Sequence, residues 1–239
     1  MAPAPRRFSD RFAGAVLGLA AVLSLVLILH HPVLGHVSSP EATTAAIRKL
    51  AALDRWVHGG LIALMALTLL GLLHLSQRLG LDKPAVAGGF VAYALGTVLV
   101  SIAGVFDGFV ISDLGEHCAA AGVDAAACSA TALDLLRLCG TVVQDFTKVG
   151  LGAMSLGVAF WGVAFLHRRD PRGVAGLGMG LSSLAAGLAP AAMMIFAPFR
   201  FTPHTLLVTF AGLALWMLSV AAFLIFARRP AVEEASHAM

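Results

Sequence analysis

Charge is what this sequence has least of. Only 12% of its 239 residues are Asp, Glu, Lys or Arg, whereas 59% are hydrophobic. A soluble domain of this length could not hide so much apolar surface in one core. Dense runs of Lys and Arg interleaved with aromatics are missing, and there is a single tyrosine, so no nucleic-acid partner is expected. Several signatures of catalysis are missing too. There is no HExxH, no paired CxxC and no set of HxxxH boxes, which removes the familiar zinc-protease and di-iron patterns. Ser101, Ser112 and Ser155 have no GxSxG elbow around them. No internal repeat is visible, so the matched halves of many transporters are absent.

What the sequence does have is long, continuous apolar runs. A helix needs about 20 apolar residues to cross a hydrocarbon layer roughly 30 Å thick. A barrel would instead show short alternating segments. Crossings are predicted at about 12–34, 57–77, 85–112, 132–166, 173–197 and 204–227. The expected fold class is an all-α integral membrane protein, a six-transmembrane helix bundle over 1–229. A short mobile cytoplasmic tail is expected at 230–239. Arg6, Arg7 and Arg11 precede the first run as in a signal peptide, but the run from Phe12 to Leu29 is long. No small-x-small cleavage site comes after it, so it is read as a crossing.

Lys and Arg set the orientation. With the N-terminus in the cytoplasm, ten basic residues fall at cytoplasmic ends: Arg6, Arg7, Arg11, Arg78, Lys83, Arg168, Arg169, Arg172, Arg228 and Arg229. Four fall outside: Arg48, Lys49, Arg55 and Arg200. Both termini are then cytoplasmic, and the expected location is a bacterial inner membrane. The first external loop, 35–56, is expected to hold a short helix over 45–53, with Ser38, Ser39 and Pro40 forming its cap. The second, 113–131, holds Cys118 and Cys128, whose spacing permits a disulfide in an oxidising periplasm. Two free thiols or two soft metal ligands are the alternatives. Gly14 and Gly18, Gly104 and Gly108, and Gly176 and Gly180 have small-xxx-small spacing, which lets helices approach closely. The fifth crossing, rich in Gly, Ala and Ser, is expected against another helix or another subunit.

Polar side chains inside such runs carry the functional information. Counting about 20 residues from each cytoplasmic anchor puts His30, His31, His58, Asp107, Asp145, Lys148 and His204 at one outer level. Asp134, Arg137, Thr141, Gln144, Lys148 and Ser155 share one helix face. Asp107 is expected to pair with Lys148. Imidazoles and carboxylates together suit Cu, Zn or Fe, and two facing histidines suit haem b. His30, His31, His58 and His204 are the expected ligands of a cofactor or metal. Asp107 and Asp145 are expected to orient those ligands or to add to them. The expected function is a periplasm-side metal- or haem-binding membrane protein in redox chemistry or metal handling, with the lipid bilayer as its main partner. The alternatives are a proton-coupled permease, its path lined by the polar face and Asp107, and an assembly subunit of a homo-oligomer or larger complex.

Overall fold

The computed structural model describes residues 7–32, 39–120, 124–167, 174–196 and 201–226. Among them there are no strands. The elements are α1 (Arg7–Leu29), α2 (Pro40–Leu79), α3 (Pro84–Val105), a π-helical turn (Phe106–Val110), α4 (Ile111–Ala120), α5 (Ala125–Leu166), α6 (Val174–Phe196) and α7 (Pro203–Phe226). Five stretches are long and apolar enough to cross a membrane: Asp10–Leu29, Pro40–Leu79, Pro84–Cys118, Ala126–Leu166 and His204–Phe226. The apolar part of α6, Gly176–Ala192, is shorter. The expected tail at 230–239 lies outside the described residues.

The helices are longer than the sequence pattern suggests. No proline or glycine interrupts the chain between Pro40 and Gly59, so the expected short helix over 45–53 merges with the second crossing. The result is α2, a helix of 40 residues, about 60 Å long at roughly 1.5 Å per residue. Ser39 caps it by accepting a 3.2 Å hydrogen bond from the Ala42 amide, with Pro40 in the first turn. The expected loop at 113–131 is also largely helical, occupied by α4 and the start of α5. Cys118 of α4 and Cys128 of α5 lie at disulfide distance, with Cα atoms 5.4 Å apart. The first turns of α2 and α5 and the helix α4 are thus joined. Thr44 meets Ser129 at 3.0 Å in a buried hydroxyl pair. Arg55 donates to Glu116 at 2.8 Å and to Asp113 at 2.6 Å.

Glycines set the helix spacing. A Cβ at Gly96 of α3 would lie 2.7 Å from the Met154 amide nitrogen of α5, and one at Gly157 would lie 2.9 Å from that of Tyr93. Gly14 packs against Ala221 of α7, and Gly180 against Gly162 of α5. These motifs are used within the chain. Toward the other end of the bundle from Cys118 and Cys128, the indoles of Trp161 (α5) and Trp216 (α7) stack 5.7 Å apart and nearly parallel, with Tyr93 (α3) tilted against Trp161. Their N–H groups donate to Ser76 of α2 at 3.1 Å and Ser183 of α6 at 2.8 Å. Buried donors are thereby satisfied where water is scarce. Phe12, Leu19, Leu70, Leu95 and Leu215 face outward, a surface suited to lipid.

Candidate functional site

α1 ends at Leu29, and the chain leaves it in a turn closed by the His31 amide on the Ile28 carbonyl at 3.1 Å. This sends two consecutive histidines apart. His30 turns back to the Val26 carbonyl, its Nδ1 at 2.8 Å, and stays exposed. His31 enters the bundle and meets His58 of α2, with Nε2 atoms 3.3 Å apart. The rings sit edge to face, their centroids separated by 4.9 Å.

Asp107 completes a triangle. Its Oδ2 lies 3.5 Å from His31 Nε2 and 3.3 Å from His58 Nε2. Asp107 stands in the π-helical turn, which the Ile111 amide closes on the Phe106 carbonyl. A π turn inserts one residue into the helical register and so rotates the helix beyond it, a device common at functional positions. Gly108 in the same turn lies directly on His58, where a Cβ would come within 2.6 Å of His58 Cγ. Only glycine lets α2 and this turn close that tightly. The expected Asp107–Lys148 pair is therefore replaced by a pair of imidazoles. Lys148 and Asp145 form no ion pair among the described residues.

Asp54 is the residue that sequence reasoning missed. It sits one helical turn before His58, and its carbonyl and its Oδ1 are both 3.0 Å from His58 Nδ1. Asp54 Oδ1 is buried and receives no well-directed hydrogen bond. Ligand atoms of His31, Asp54 and His58 lie within 4.8 Å of one another. His31 Nε2, His58 Nε2 and Asp107 Oδ2 form the tighter triangle, and Asp54 stands on the other side of the His58 ring from it. The Asp-x-x-x-His spacing was readable once the helix was known to extend back past residue 54.

The triangle borders a cavity of about 430 Å³ lined by α1, α2, α3, α5 and the chain entering α7. His204 lines it too, with no hydrogen bond to the other imidazoles among the described residues. Gln144 of α5 holds the entering chain through both amide atoms: its Nε2 donates to the Phe201 carbonyl at 2.9 Å, and its Oε1 accepts from the Phe201 amide at 3.0 Å. Thr202 and Thr205 then exchange hydrogen bonds and start α7. The rest of the expected polar face divides. Asp134 and Arg137 pair with each other at 3.0 Å on the exposed side, and Ser155 is buried with its hydroxyl unpartnered. Asp145 is exposed. The structure therefore gathers His31, His58, Asp107 and His204 around one space, and it leaves His30 and Asp145 outside.

Ligand atoms about 2.05 Å from a tetrahedral ion lie about 3.3 Å apart, whereas adjacent ligands of an octahedral one lie nearer about 3.0 Å. The observed separations of 3.3, 3.3 and 3.5 Å match the tetrahedral case. No family model, curated protein or solved structure matches this chain.

A second acid–imidazole contact lies sixteen residues along α2 from His58, about 24 Å away. His74 Nε2 is 2.6 Å from Asp10 Oδ1, and Arg78 is 3.5 Å from Asp10 Oδ2. Arg78 also donates to the Leu224 carbonyl at 3.3 Å and lies over the Phe223 ring. This cluster ties α1, α2 and α7 together.

Proposed function

We propose that this chain is a metal-binding protein of a bacterial inner membrane, crossing it six times with both termini in the cytoplasm. It holds one ion between His31, His58 and Asp107 on the periplasmic side. The observation that carries the reading is the triangle of Nε2, Nε2 and Oδ2 atoms at tetrahedral ligand spacing. Asp54 behind His58 is the usual carboxylate partner of a metal-bound imidazole. Two nitrogens and an oxygen without sulfur speak against Cu⁺ and suit Zn²⁺. A haem held between these imidazoles would place its ring where Asp107 stands. Three protein ligands leave one coordination position free, toward the cavity, which suits Lewis-acid chemistry or ion handling. The side of the membrane is inferred from the Lys and Arg distribution and from the cysteine pair at the same end of the bundle.

Equilibrium dialysis of the purified protein against Zn²⁺, with elemental analysis of the retained ion, tests this. One ion per chain is expected, with loss in His31→Ala and His58→Ala. No bound ion, or equal content in both variants, overturns it.

The proton-coupled reading gains one observation, the Asp10–His74 contact at the opposite end of α2. It requires pH-gradient dissipation by the protein in sealed vesicles, abolished by His74→Ala. The assembly-subunit reading gains none, because Gly180 is already packed on α5.

A further inference from the structure

The cavity changes character with depth, and it does so along three helices at once. On α2 the order inward is His58, Leu61 and Met65; from the π turn into α3 it is Asp107, Ala103 and Val100; on α7 it is His204, Leu207 and Phe210. Each helix thus presents a titratable group at the mouth and apolar side chains below. On α5 the order inward is instead Val143, Gln144 and Thr147, and Thr202 adds a further neutral polar group. Ile28, Leu61, Met65 and Phe210 also line a smaller void of about 30 Å³ further inside, a mostly apolar space that Ser24, Thr68 and Thr97 border as well. The Tyr93 ring, tilted against Trp161, stands in the wall of that void. A volume near 430 Å³ is within the usual range for a small-molecule site, roughly 300–1,000 Å³.

A purely polar substrate would leave this floor wet, and a purely apolar one would leave the His–Asp mouth unused. From these placements we infer that the site takes an amphiphile, an aliphatic chain carrying an oxygen-donor headgroup of the carboxylate or ester type. The headgroup occupies the free position of the ion at His31, His58 and Asp107, and the chain runs inward beside Leu61, Met65, Val100 and Phe210. The inference rests on the metal reading above. From His58 to Met65 the helix rises about 10 Å, room for roughly eight methylenes.

The test is a chain-length series on Co²⁺-loaded protein in lipid nanodiscs, titrating acetate, butyrate, hexanoate, octanoate and decanoate and recording the visible cobalt bands. Affinity should rise about threefold to fourfold per methylene and level off near eight to ten carbons. Partition into the bilayer steepens any such series, so the decisive comparison is with Val143→Trp and Ala103→Leu. Both residues line the cavity without belonging to the triangle. These variants should keep the cobalt bands and the acetate response but lose at least tenfold in octanoate affinity. A cobalt response to acetate with the same chain-length slope in wild type and both variants overturns the amphiphile and leaves the metal reading standing. Absence of cobalt bands in wild type overturns both.

Discussion

His58 Nδ1 stands 3.0 Å from both the main-chain carbonyl and the carboxylate Oδ1 of Asp54, the residue one helical turn before it. A proton held there leaves Nε2 as the bare nitrogen, facing His31 and Asp107. The orientation of the ring is thus constrained from within one helix, before any other helix contributes.

That relationship makes Asp54 a positioning residue. Asp54→Asn should weaken Zn²⁺ binding about 10- to 100-fold while leaving one ion per chain at saturation. His204→Ala should change affinity far less. Competition with a chromogenic chelator measures both, and unchanged affinity in Asp54→Asn would remove the orienting role.

Gly108 should tolerate no side chain. A Cβ there comes within 2.7 Å of His58 Nδ1, so Gly108→Ala must push α2 away from the π turn. Overpacking of this kind costs about 1–3 kcal/mol. A lower melting temperature together with weaker metal binding is expected. Gly140→Ala, with open space around it, is the control and should match wild type.

The cysteines should be chemically distinct. Cys118 and Cys128 lie at disulfide distance, and Cys139 is free and buried. In denaturing detergent, a maleimide polymer should add once to the untreated chain and three times after reduction. Three additions without reduction would show that the pair is not oxidised in the cell.

Sidedness is open to direct labelling. Lys49 and Asp82 are both exposed, near opposite ends of α2. In intact spheroplasts an impermeant maleimide should reach Lys49→Cys and should reach Asp82→Cys only after lysis. The reverse pattern would turn the bundle over and move the His–Asp site to the cytoplasm.

Much of the architecture was legible because lipid leaves few options. An apolar run in hydrocarbon must satisfy its own backbone, so it forms a helix, and Ser39 and Pro40 mark a start that needs no tertiary help. Helix ends outside the apolar layer were less legible. Residues 45–53 were expected as a short separate helix and 113–131 as a loop, yet the first is continuous with the second crossing and the second is largely helix, because partners on α2, α4 and α5 support them. The site was legible only in part. Depth along the sequence brought His31, His58, Asp107 and His204 to one level, but it also brought His30 and Asp145 there.

Composition and apolar run length alone therefore determined that this is a helical protein suited to a bilayer, since the cost of exposing backbone and apolar side chains is local and additive along the chain. Which polar groups meet was decided by tertiary structure. The turn after Leu29 selects His31 over His30, the π turn sets Asp107 against both imidazoles, and Gly108 lets His58 close upon it. Each depends on rotation about a helix axis. Period and depth leave that rotation free until the helices pack.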